Sequence, residues 1–122
     1  MVDLVDVAAP RWEFTLGDYW VPSRIPRADQ NLLTAVETLA LQFRTTSWPV
    51  EQVLAAWRAL GDGEGSVNLT AVTIRRRGPV AEIRDKYRQF QHVRVPAGEI
   101  EAVLIALISA IRHAFEQEHD PQ

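Results

Sequence analysis

Trp12, Phe14 and Leu16 alternate with Arg11, Glu13 and Thr15. That is the period-two pattern of a strand with one buried face. Gly17-Asp18 follows, and then Tyr19, Trp20 and Val21. A two-residue Gly-Asp link between such runs predicts a type II′ hairpin, because glycine takes the positive φ at the first central position. In that register Leu16 faces Tyr19 and Phe14 faces Val21, which leaves Trp20 on the opposite side with Thr15. Pro22 and Pro26 end the second strand or hold it at an edge. Residues 1–10 show no period and read as an extended arm.

The period then changes to that of a helix. Leu32, Val36, Leu39, Ala40 and Phe43 share one side of a helix predicted over 28–45, with Asp29 in its first turn, where a carboxylate suits the helix dipole. Thr45-Thr46-Ser47 breaks it. Ser47-Trp48-Pro49 opens a second helix, with proline tolerated in the first turn and Trp48 expected to staple its start. Val50, Val53, Leu54, Trp57 and Leu60 form its stripe, and the run Gly61 to Gly65 ends it as a loop.

From Val67 to Ile74 the chain is rich in β-branched residues and reads as one strand. Arg75-Arg76-Arg77-Gly78-Pro79 is a turn. Residues 80–90 fit two patterns. Val80, Ile83, Tyr87 and Phe90 make a helical stripe, whereas a strand over 80–85, a turn at Asp85–Gln89 and a strand over 90–95 would give 67–74 the partner it needs. The second is the reading adopted. A last helix over 98–118 carries Glu99 and Glu101 in its first turn and a wide apolar face of Val103, Leu104, Leu107, Ile108, Ile111 and Phe115. The order β-β-α-α-β-β-β-α predicts an α+β fold, an antiparallel sheet with helices packed on one face. One compact domain over 1–122 is expected, with residues 119–122 a frayed tail.

With 122 residues and 47% hydrophobic composition, the chain needs no disulfide or metal staple. It has no cysteine, which excludes thiol catalysis, disulfides and cysteine metal sites and fits a reducing cytoplasm. Its first residues lack the basic-then-apolar order of a secretory signal, and its longest uncharged apolar run, Ala102–Ile111, is far short of the roughly 20 residues of a membrane span. Charge is unevenly placed. Segment 75–94 holds seven basic and two acidic residues, while the whole chain carries −3. Such asymmetry speaks to partners rather than to fold.

No catalytic constellation emerges. His113, Glu116 and His119 are three apart, but the outer two diverge around a helix, so no metal site is expected there. Glu82 and Asp85 read as local partners of nearby arginines rather than as an acid–base pair. The glycine run lacks the Gly-Lys-Ser/Thr ending of a phosphate loop and the ligand ladder of a calcium loop. No serine sits in a nucleophile context.

Two surfaces ask for a partner. The first gathers Arg75, Arg76, Arg77, Arg84, Lys86 and Arg88, together with Tyr19 and Trp20 on the first hairpin, as candidate partner-binding residues. The second is the back of the last helix, where Ala102, Ile105, Ala106 and Ser109 lack the charge expected of a solvated face and mark a candidate oligomer interface. The reading is therefore a small, non-enzymatic cytoplasmic binding protein, without cofactor or metal, acting by protein–protein contact (as inhibitor, immunity-type protein, adaptor or assembly subunit) or as a homo-oligomer. The alternative is a nucleic-acid-binding regulator using the basic 75–94 hairpin, with Tyr87 and Phe90 as stacking groups.

Overall fold

The computed structural model describes residues 10–116. The arm expected over 1–10, Pro10 apart, and the part of the last helix and tail beyond 116 lie outside the described residues.

Strands β1 (Arg11–Leu16) and β2 (Trp20–Ile25) form an antiparallel hairpin. Helices α1 (Gln30–Ala40) and α2 (Trp48–Ala59) follow. Strands β3 (Glu64–Asn68), β4 (Val72–Arg77), β5 (Val80–Asp85) and β6 (Val93–Pro96) make a second antiparallel sheet in simple sequence order. Helix α3 (Ala97–Ile111) closes the fold and runs on into a π-helical turn at Arg112–Glu116. The α+β class and the order of element types are those the patterning predicts, with one subdivision. Segment 67–74, expected as a single strand, folds back at Thr70-Ala71, where the Leu69 N–H donates to the Val72 carbonyl at 2.8 Å. The sheet therefore has four strands, and the first of them starts inside the expected glycine loop. Residues 80–85 are a strand, and Asp85–Gln89 is a turn, as adopted above.

Alternation decides which sheet face meets the helices. Val72 and Ile74 of β4, Ala81 and Ile83 of β5, and Val93 and Val95 of β6 are all buried. They pack with Leu39, Phe43, Leu54, Trp57 and the Ile100, Leu104, Leu107 and Ile111 stripe of α3 in one core that also includes Trp12, Phe14 and Trp20. Gly65 lies where α2 meets the sheet. A Cβ there would come within 2.6 Å of Leu60 Cδ2, so any other residue would have to push the end of that side chain aside. Gly78, at φ 59°, supplies the positive φ of the β4–β5 turn.

Three local expectations are corrected. The first hairpin turns through three residues, Gly17-Asp18-Tyr19, and pairs Leu16 with Trp20 and Phe14 with Pro22. That slip of one residue reverses the face of every β2 side chain. Trp20 is consequently 3% exposed, and Tyr19 and Val21 face outward. Burial of the large indole drives the choice: its Nε1–H donates to the Arg44 carbonyl at 2.8 Å, and its ring meets Phe115 edge-on at 6.4 Å. Trp48 is 62% exposed rather than a staple, because two residues of helix put it about 160° from Val50 on the core stripe. Helix α1 stops at Ala40 instead of 45. It is capped at its start by Asp29, whose carboxylate accepts the Leu32 N–H at 2.8 Å.

Candidate functional site

The two-residue turns set the ladder. Gly63 and Gly78 are bonded across β3–β4, as are Leu69 and Val72, so the odd-numbered residues of β3 point their backbone groups at β4. The solvent side of the sheet is then built from Glu64, Ser66 and Asn68 of β3, Thr73, Arg75 and Arg77 of β4, Val80, Glu82 and Arg84 of β5, and Arg94 of β6. No described helix covers this side. Ser66, Arg75, Glu82 and Arg94 lie in one cross-strand row.

Four arginines thus stand on one open face around a central carboxylate. Glu82 takes Arg94 Nε at 3.3 Å and Arg84 Nε at 4.0 Å. Its side chain is 17% exposed, against 76% for Arg94. Glu82 pairs with Arg94 and Arg84 without neutralising the face, since with Glu64 it offsets two of the four positive charges. A shallow hollow of about 200 Å³, lined by Arg77, Val80, Glu82 and Arg94, opens beside it.

The candidate residues named from sequence separate into groups. Arg75, Arg77 and Arg84 are on this face, with Arg94. Arg76 is not. It falls on the core side of β4, its guanidinium 5.8 Å from the Trp57 ring and its Nε–H donating to the Gly78 carbonyl at 2.9 Å, with Asp62 at 3.8 Å. Strand alternation forbids three consecutive arginines on one face. Lys86 reaches back to donate to the Leu69 carbonyl at 2.7 Å. Arg88 stands in the β5–β6 loop in the left-handed conformation, φ 61°. Tyr19, half exposed, belongs to the first hairpin, a different sheet, and Trp20 is buried in the core there.

The β5–β6 loop is organised by Asp85. Its carboxylate accepts the backbone N–H of Tyr87 and of Phe90, each at 2.9 Å, and that of Gln89. Desolvation pushes this carboxyl up, but the three N–H donors and nearby His92 outweigh it and hold the pKa below the ordinary 3.8. Asn31 of α1 pins the far side of the loop, exchanging two 3.0 Å hydrogen bonds with the Gln91 backbone. Glu82 and Asp85 are on opposite sides of β5 and do not form a carboxylate pair. Ser47 Oγ lies 2.9 Å from Glu116 Oε1 and 3.1 Å from Glu51 Oε2, which ties the chain's last described turn to the start of α2. Among the described residues no group of acidic or histidine side chains is arranged to hold a metal ion.

On the back of α3, Ile105 and Ser109 are exposed while Ala102 and Ala106 are half-buried against the core. The strip left for a second copy is narrower than the sequence pattern implies, because α2 and β1 flank the helix and Arg58 of α2 reaches across to Glu101 at 2.6 Å. No described helix is long and apolar enough to cross a membrane.

Sequence reasoning missed two features. One is the buried carboxylate of Glu99, which accepts the Trp12 indole N–H at 2.9 Å and lies 2.8 Å from Arg24 Nε. The other is the open edge of β3. The first carried only the signal of an acidic residue in a helix's first turn, and the second required the split of 67–74. No protein-family model, no curated protein and no solved structure matches this chain.

Proposed function

We propose that this chain is a small non-enzymatic binding module of the cytoplasm that works by protein–protein contact, and that its contact surface is the open arginine face of the four-stranded sheet. The observation that carries the reading is the gathering of Arg75, Arg77, Arg84 and Arg94 around Glu82 on a sheet face that no described element covers. Arginine presents a planar fork that matches carboxylates two at a time, so the partner surface is acidic. The absence of cysteine fits a reducing compartment.

The second reading, a nucleic-acid binder built on 75–94, draws on the same arginines. It fares less well because Tyr87 and Phe90 lie in the loop beyond Asp85 and not between the arginines, so bases would have no stacking platform on this face. Outside 75–94 the chain is also acidic, which repels a phosphate backbone.

Fluorescence anisotropy separates the two. The probes are a labelled acidic peptide of alternating Glu and Thr, about ten residues long to match a strand, and labelled single-stranded and duplex oligonucleotides. Measurements at about 50 and about 150 mM salt are expected to show peptide binding, weakened about tenfold or more in Arg75→Ala/Arg84→Ala/Arg94→Ala, and no oligonucleotide binding at the higher salt. Micromolar oligonucleotide binding at the higher salt, lost in the triple variant, would put the second reading first.

A further inference from the structure

The two edges of the four-stranded sheet are not equivalent. On β6 the residues bonded to β5 are Val93 and Val95, which leaves Arg94 and Pro96 pointing outward. Proline has no N–H, the strand has only four residues, and it runs straight into α3. That edge offers a single amide donor. On β3 the bonded residues are Gly65 and Val67, so Glu64, Ser66 and Asn68 turn their N–H and C=O groups away from the sheet. All three are exposed, and among the described residues none of these backbone groups meets a partner from another element. The strand carries no lysine, no proline and no bulge, the devices that normally blunt an edge.

We infer that the outer edge of β3 is a strand-addition site, at which an acidic extended segment of a partner protein pairs antiparallel with Glu64–Asn68 and extends the sheet to five strands. This rests on the protein-contact reading above. Strand addition takes its affinity from main-chain hydrogen bonds and its specificity from alternate side chains. Here the two coincide. In an antiparallel ladder a residue that exchanges hydrogen bonds with Ser66 points its side chain to the same side as Ser66, which is the arginine side. The residues of the added strand that bond to β3 are therefore those whose carboxylates face Arg75 and Arg77. The added strand lies two spacings of about 4.8 Å from β4, a gap that an arginine and a glutamate side chain close between them. Glu64 is the one opposing charge on this edge, and it sits directly across from Arg77.

The test uses the Glu-Thr peptide in three forms of equal charge: unmodified, N-methylated on its Glu residues, and N-methylated on its Thr residues. N-methylation removes the amide donor and leaves the charge and side chains unchanged, and the two methylated forms carry the same added bulk. Loss of about tenfold or more in affinity is expected for the Glu-methylated form alone, since each added-strand donor facing β3 is then blocked. Slowed hydrogen exchange at the Glu64, Ser66 and Asn68 amides in the complex is expected with it. Ser66→Pro, which removes an outward N–H and no ladder bond, is expected to lose peptide binding with its far-ultraviolet dichroism unchanged. Equal affinities for the two methylated forms, or loss confined to the Thr-methylated one, overturn the antiparallel addition and leave the arginine face as a purely electrostatic surface. No binding of the unmodified peptide overturns both this inference and the reading beneath it.

Discussion

Glu99 occupies the first turn of α3, where the helix dipole favours a carboxylate, and yet it is 6% exposed. Its charge is balanced by Arg24, whose Nε sits 2.8 Å from Oε2 but off the hydrogen-bond axis, and whose guanidinium lies 5.9 Å from the Trp12 ring. Trp12 supplies the aligned donor. Breaking one partner of a buried pair strands the other charge, whereas removing both leaves an ordinary apolar contact. Arg24→Leu is thus expected to cost about 3–5 kcal/mol in a urea titration, and Arg24→Leu/Glu99→Leu to recover most of it. A double variant as unstable as the sum of its singles would show that the pair acts as two separate contacts. None of this was legible from residue types, because it hangs on the β1–β2 register. In the predicted register Trp12 lacks Arg24 as its cross-strand partner. The same holds for Arg76. Strand alternation alone tells that it differs from Arg75 and Arg77, but alternation helps only once 72–77 is known to be strand rather than turn.

At the scale of elements, long periodic stripes were readable and two of the short turns were not. The α2 stripe of Val50, Leu54 and Trp57 is buried as the spacing requires, because a helix of several turns averages over local error. The first hairpin failed by one residue, since Gly-Asp and Gly-Asp-Tyr loops are both sterically open and only the packing of Trp20 chooses between them. The strand at 67–74 failed for a related reason: Thr70-Ala71 carries no glycine, asparagine or proline to announce a turn. By contrast the turn after Asp85 was legible, and its carboxylate accounts for its stability. Because the folded pKa of Asp85 lies below its unfolded value of 3.8, its contribution is fully present above that value and is lost as pH falls through the folded pKa. Asp85→Asn is expected to flatten the stability profile between neutral pH and the acid limb, and to speed amide exchange at Tyr87, Gln89 and Phe90 at neutral pH. Parallel acid limbs for the variant and the parent protein would remove Asp85 from this role.

Over the whole molecule, the two sheets are separate in hydrogen bonding but joined in packing. Helix α3 lies against β1 on one side and against α2, β5 and β6 on the others, and its buried stripe belongs to the same cluster as Trp12 and Ile74. That arrangement leaves the arginine face free to vary, since no core residue projects through it. All-or-none folding is the expected consequence. Trp57 is the test of this. It is 1% exposed, sits in α2 with Arg76 5.8 Å from its ring, and touches the core that both sheets share. Trp57→Ala leaves a cavity the size of an indole, at a cost of about 3–5 kcal/mol. Because the core is common, the loss is expected to appear equally in far-ultraviolet dichroism and, with Trp48→Phe as background, in the fluorescence of Trp12 and Trp20 on the other sheet, with coincident midpoints. A cost under about 1 kcal/mol would take Trp57 out of the core. Midpoints that separate would mean that the β1–β2 hairpin and the four-stranded sheet unfold independently, and that α3 joins two units instead of filling one.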